Sequence, residues 1–177
     1  SELISQIRIT NPSYIPQKAQ AQEPVIRLIA LIGSAGTIAF TPDSDLDFWL
    51  CGKFSDISND ELILLRRKCT MIEKWVMENY RKEIHFFLND IDRIKLNLFD
   101  EDEEYTFSGS SLGQSLKDEF YRSSIIINSI TPFWWAVPAD TSDSEYERWY
   151  SAISGTPYAR EFVDLGNISG INRGEFL

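Results

Sequence analysis

Apolar positions along the 177-residue chain fall into separate runs, each with its own period. Residues 1–24 are polar, carry Asn11-Pro12 and Pro16, and turn Gln/Ala-rich before Pro24, so they read as a lead-in. Residues 25–32 (VIRLIALI) form an apolar run that ends at Gly33, a buried strand or the end of a helix. A loop with Gly, Ser, Thr and Pro follows over 33–44. Asp45 to Cys51 (DLDFWLC) reads as a strand, rich in aromatic and apolar residues. The clearest helix is 59–80. Ser58 and Glu61 make a capping box, and Leu62, Leu65, Cys69, Ile72 and Val76 recur at spacings of three and four. Arg66, Arg67, Glu73 and Lys74 fall off that stripe. Residues 83–88 (EIHFFL) repeat the strand pattern.

Beyond residue 100 the pattern predicts a helix over 112–128, with Leu112, Leu116, Phe120 and Ile127 inside. Ser110 and Ser111 lie in the turn before it, as an N-cap or as phosphate contacts. A short aromatic strand is expected over 133–138 (FWWAVP), with Trp134 and Trp135 as core and edge aromatics rather than a base-stacking platform. The tail, 143–177, reads as mostly helical with glycine breaks at 155, 166 and 170. There is no internal repeat. Strand, helix, strand, helix, strand gives an α/β or α+β class, a small mixed sheet flanked by helices.

Composition narrows the function classes. The chain is 43% hydrophobic and 13% aromatic, which demands a packed core. Its net charge of −10 argues against a nucleic-acid polymer as partner, because phosphates need Lys and Arg to replace their counterions. A nucleotide carried in with its own divalent metal fits an acidic surface. The run Asp100 to Glu104 reads as solvated loop. The longest uncharged stretches, 28–42 and 123–139, carry Gly, Pro, Ser, Thr or Asn, so no membrane span is expected. Two cysteines and no signal peptide suit the cytoplasm. One histidine and two cysteines make no zinc set. The start at Ser1 and the end at Gly-Glu-Phe-Leu read as an excised piece of a longer protein.

The chemistry-bearing constellation is three acids in two strands. Asp45 and Asp47 are two apart in a strand, so both leave the same face, while Leu46, Phe48 and Leu50 take the other. Two neighbouring carboxylates repel, and a hard cation such as Mg²⁺ relieves them while keeping places for water and phosphate. Glu83 opens the second strand with the same logic and completes three carboxylates if the strands are neighbours. Three acids suit two metal ions roughly 3.5–4 Å apart. His85 shares the face of Glu83, as a packed histidine or as a hydrogen-bond support. Gly33-Ser34-Ala35-Gly36-Thr37 follows the first apolar run, where glycine and successive N–H groups can cradle phosphate oxygens. Asp118 and Arg122 are either a helical i, i+4 pair or a nucleotide contact.

The ensemble of apolar run, Gly-Ser, loop, Asp-x-Asp strand, helix and acid-bearing strand resembles the nucleotidyltransferase fold of the DNA polymerase β superfamily. The blocks Ser44-Asp45-Leu46-Asp47-Phe48-Trp49, Glu83-Ile84-His85-Phe86-Phe87-Leu88, Asp118-Glu119-Phe120-Tyr121-Arg122 and Val163-Asp164-Leu165-Gly166 follow one another in the order seen in class I adenylate cyclases of the enterobacterial type. The resemblance covers about residues 28–177. It implies a lead-in over 1–24, a nucleotidyltransferase-like catalytic core over 25–140 and the start of a helical extension over 141–177. It also implies ATP as substrate, cyclic AMP and pyrophosphate as products, and two Mg²⁺ ions (or Mn²⁺) held by Asp45, Asp47 and Glu83. Gly33 and Ser34, with Ser110 and Arg122, are then expected at the nucleotide, and a regulatory protein would act through chain beyond this piece. Two rival readings share the acids: another nucleotidyltransferase acting on a small molecule or protein, and a nucleotide-sensing module without turnover.

Overall fold

The structure, a computed structural model, describes residues 9, 12, 23–99, 110–138 and 140–168; the acidic run Asp100 to Glu104 lies outside them. The run after the lead-in is a strand, β1 (Ile26–Ile32), and it is a central strand of the main sheet. β2 (Leu46–Gly52) pairs antiparallel with β1, from Ile26 opposite Gly52 to Ile32 opposite Asp47. β3 (Ile84–Asp90) pairs parallel with β2, from Leu46 opposite Ile84 to Gly52 opposite Asp90. A parallel pair needs a crossover, and α1 (Asn59–Tyr80) supplies it. The expected capping box starts this helix: Ser58 Oγ accepts from the Glu61 N–H at 3.3 Å, and the Ser58 N–H donates to Glu61 Oε2 at 2.9 Å. Arg81, at φ 52°, ends it in the left-handed conformation.

Period-two alternation divides the sheet residues between two layers. Leu28, Ala30, Trp49 and Cys51 face one side, under α2 (Ile91–Lys95), α3 (Ser110–Ser123), α4 (Phe133–Ala136) and α5 (Asp143–Ser154). Leu50, Leu88 and Phe54 face the other and pack on Cys69, Leu62 and Leu65 of α1. The first layer is aromatic: Trp49 stacks on Phe120 at 5.2 Å with 13° between the rings, and Trp134 meets Phe120 edge-on at 6.3 Å. Gly113 lets α3 approach this closely, since a Cβ there would lie 1.7 Å from the carbonyl oxygen of Asn97.

Four expectations need correction. The helix over 112–128 stops at Ser123, and Ile125–Ser129 is a strand, β4, antiparallel to β1. Three successive isoleucines favour extended backbone over helix. The strand over 133–138 is instead the single helical turn α4, preceded by the two-residue strand β5 (Thr131–Pro132). The tail is helical only to Ser154 and in the 3₁₀ turn Pro157–Glu161. Phe162–Val163 then forms β6, parallel to β5. Glu73 does not fall off the inward stripe of α1: its Oε1 accepts the Phe86 N–H at 2.9 Å, satisfying a donor on the open edge of β3. Among the described residues, no helix is long and apolar enough to cross a membrane.

The Val163-Asp164-Leu165-Gly166 block is core, not surface. Val163 and Leu165 are buried, and Asp164 is only 2% exposed between them. A lone buried carboxylate would be costly, so its partners matter. Oδ1 accepts from Tyr146 Oη at 2.5 Å and from the Gly166 N–H at 2.9 Å. Oδ2 meets Lys95 Nζ at 2.6 Å in an ion pair. Burial works to lower the Lys95 ammonium, but Asp164 and Tyr150 outweigh it and hold it above its ordinary value. Lys117, also buried, is held below its ordinary value by desolvation, against the pull of Asp118 and Asp164. Tyr121 Oη donates to the Gly166 carbonyl at 2.7 Å, which ties α3 to the chain after β6.

Alkaline pH reads this core directly. Burial holds Cys51, Tyr121 and Tyr146 above their ordinary values of 9.0, 10.0 and 10.0. The unfolded chain releases these protons as pH rises past 9, while the folded chain keeps them. Their stability contribution is therefore complete below pH 9 and declines above it. Lys95 adds to the decline above 10.5, and Lys117 opposes it. The urea midpoint is expected to fall steadily from about pH 9 to 11; a midpoint that holds or rises over that range contradicts the burial described. Phe120→Ala is expected to cost about 3–5 kcal/mol in the same assay.

Candidate active site

The N-terminal ends of β2 and β3 carry the chemistry. Asp45 and Glu83 immediately precede the two strands, and the Leu46 N–H donates to the Glu83 carbonyl at 3.2 Å. One step further, Asp47 is paired with His85. Residues two apart share a face, so Asp45, Asp47, Glu83 and His85 stand as a two-by-two grid on one side of a parallel pair. On the other side the Phe48 and Phe86 rings meet at 5.3 Å and anchor the register. Like charges side by side on neighbouring strands are unfavourable unless something neutralises them.

Asp45, Glu83 and His85 each offer a ligand atom, and these atoms lie within 4.8 Å of one another. His85 Nε2 is 3.3 Å from Glu83 Oε1, with the two side chains 44% and 53% exposed. The donor set fits one divalent cation: two carboxylates suit Mg²⁺ or Mn²⁺, and an imidazole favours the transition metal. The sequence reading placed Asp47 in this set and left His85 outside it. The geometry brings His85 into the cluster and leaves Asp47 beside it. The signal for His85 was its two-residue spacing from Glu83. Burial pushes the Asp47 carboxyl above its ordinary 3.8, His85 opposes that, and the charge of Asp45 adds to it.

Gly33–Gly36 is a 3₁₀ turn directly after β1, and Ile32 is paired with Asp47. Gly33 has φ 78°, and a Cβ on it would stand 3.7 Å from Asp47 Oδ2. The Gly-Ser turn and the acids thus form one surface. Ser34 closes the turn: its carbonyl accepts from the Thr37 N–H and from Thr37 Oγ1, both at 2.9 Å. A contact the sequence reading missed positions the loop. Lys82 Nζ donates to the Pro42 carbonyl at 2.7 Å and to the Ser44 carbonyl, with the Phe40 ring 5.4 Å from the ammonium. The residue before Glu83 therefore fixes the residue before Asp45.

The other candidates lie on α3, which packs against the Gly33–Gly36 turn. Ser110 opens this helix, and its side chain lies outside what the structure describes. Arg122 is exposed in the last turn of α3. The Asp118 carboxylate accepts from Gln114 Nε2 at 2.7 Å. Phe120 and Tyr121, the centre of the Asp-Glu-Phe-Tyr-Arg block, hold α3 in the core rather than facing a ligand. Trp134 is buried and Trp135 is 65% exposed, the core-and-edge division expected of them.

Residues 2–135 match a family model described as the adenylate cyclase NT domain. Adenylate cyclase of Salmonella typhimurium is 29% identical over 168 residues, which cover 92% of this chain and 19% of that protein. The Escherichia coli K12 adenylate cyclase is 30% identical over 152 residues, 82% of this chain and 17% of the relative. That of Pasteurella multocida is 29% identical over 169 residues, 94% and 20% respectively. The chain thus spans a fifth or less of the length of these curated relatives. No solved structure matches it.

The lone histidine makes the cation site directly measurable. Paramagnetic Mn²⁺ is expected to broaden the His85 imidazole proton signals at substoichiometric amounts, and an Asp45→Asn/Glu83→Gln double substitution to remove the effect. Sharp His85 signals under saturating Mn²⁺ would show that these donors hold no ion.

Proposed function

The chain belongs to the adenylate cyclase N-terminal domain family, and on that premise we propose that it forms the metal- and triphosphate-binding part of an adenylate cyclase catalytic region. The reaction is conversion of ATP to cyclic AMP and pyrophosphate. The observation that carries this reading is the grouping of Asp45, Glu83 and His85 within 4.8 Å, on the face that also meets the Gly33-Ser34 turn through Asp47. A bound divalent ion supplies charge neutralisation for the phosphates and the departing pyrophosphate.

The chain's own groups would do the rest. Asp45, Glu83 and His85 would hold the cation. Asp47, whose carboxylate lies against Gly33, would serve a second ion on the side of the turn. Gly33 leaves room for phosphate oxygens, and Ser34 offers its hydroxyl to them. The ribose 3′-oxygen forms a bond to the α-phosphorus while the bond from that phosphorus to the bridging oxygen breaks. The 3′-hydroxyl proton passes to Glu83 or to water, and pyrophosphate leaves. This is positioning and charge stabilisation, with no covalent work for the protein. The proposed use of ATP fits a cytoplasmic location.

The test uses the protein at full length, with Mg²⁺ and ATP. Asp45→Ala/Asp47→Ala is expected to lower cyclic AMP formation by at least about 100-fold, since even supporting residues of metal sites are worth 10–100-fold. His85→Ala is expected to raise the Mg²⁺ or Mn²⁺ concentration needed for half-maximal rate. Cyclic AMP formation unchanged in the double variant would refute the assignment, as would a nucleotide attached to an acceptor in place of cyclic AMP.

A further inference from the structure

The chain carries a net charge of −10, yet one end of its sheet gathers cations. Arg27 enters at the start of β1, Lys53 follows β2, and Lys95 ends α2 after β3. With Arg160 from the 3₁₀ turn they line a cavity of about 330 Å³, beside Tyr150 and Asp92. The acid cluster lies at the opposite strand ends, roughly 20 Å away for strands of this length.

Two carboxylates already meet these cations, and they differ. Asp164 is buried against Lys95, which also lies 3.8 Å from the Tyr150 ring centre, so that pairing is permanent. Glu23 sits on the segment before β1 and is 44% exposed. Its Oε2 meets Arg27 Nη2 at 3.0 Å, and its Oε1 meets Arg160 Nε at 2.9 Å. One carboxylate bridging two guanidiniums is the geometry an external oxyanion would adopt. Asp164 accounts for Lys95, but an exposed pair such as Arg160 with Glu23 contributes at most about 1 kcal/mol, so stability does not account for drawing Arg160 and Lys53 to the same cavity. A cavity of this size holds roughly ten waters or a hydrated phosphate.

We propose that this cavity binds a small phosphate-bearing anion through Arg27, Lys53 and Arg160, with Glu23 as its built-in competitor. The site is separate from the acid cluster and does not rest on the cyclase reading. The test is calorimetric titration of the 177-residue chain with inorganic phosphate and, in a separate arm, with pyrophosphate. EDTA keeps the acid cluster free of metal, and salt is held at about 0.15 M. Saturable binding of either anion is expected, and the arm that binds tighter tells a monophosphate site from a diphosphate site. Arg160→Gln, at a largely exposed side chain, is expected to weaken binding about tenfold, the loss of one charge-assisted contact. Glu23→Gln is expected to tighten it, and Arg148→Gln, an exposed arginine outside the cavity, to leave it unchanged. Absence of saturable binding in both arms, or the same affinity in Arg160→Gln as in the parent, overturns the proposal.

Discussion

The parallel register of β2 on β3 is the constraint on which the site depends. It sets Asp45 beside Glu83 and Asp47 beside His85, and by the same period of two it turns Leu50, Phe86 and Leu88 toward α1. A slip of one residue in β2 would turn Asp45 and Asp47 toward α1 and Leu50 away from it, so the two halves of the pattern hold each other in place. Three local devices lock it. The capping box at Ser58 fixes where the crossover helix starts, Glu73 takes up a free donor of β3, and Lys82 clamps the carbonyls just ahead of Asp45.

Charge is arranged by strand end rather than spread evenly. At the N-terminal ends of β2 and β3, acids converge on an exposed face with one imidazole among them. In the middle, Asp164 is neutralised inside the core by Lys95, Tyr146 and a backbone N–H. At the far end, four basic side chains surround a cavity. The acid end is strained by its own repulsion, so a cation that binds there stabilises the fold by mass action as well as serving chemistry. The two sequence blocks that carry the adenylate cyclase resemblance beyond the acids, 118–122 and 163–166, turn out to touch through Tyr121 and Gly166. In this structure their visible work is architectural: they hold α3, the helix behind the Gly33–Gly36 turn.

What could be read from the sequence was local. β2, β3 and α1 announced themselves through clean alternation, a three-and-four stripe and a capping box, and the carboxylate face followed from strand period alone. The misses have tertiary causes. Ile125, Ile126 and Ile127 sit on a strand at the sheet edge with two of the three exposed, so no alternation marks them. The aromatic run at 133–136 has strand propensity, but it buries Phe133 and Trp134 as a single helical turn between β5 and α5. Glu73 and Lys82 look like ordinary surface charges until the strand edge and the loop beside them are in place. His85 carried its signal in its spacing, yet only the parallel pairing shows that it faces Asp45 as well as Glu83.

The account's central claim is that the β2–β3 register builds one cation site against the Gly-Ser turn. Anomalous diffraction from crystals of the chain grown with Mn²⁺ and ATP tests it most directly. The predicted result is a metal peak among Asp45, Glu83 and His85, with triphosphate density on Gly33 and Ser34. Absence of a metal peak among these three side chains, or a nucleotide bound only at the opposite end of the sheet, would contradict it.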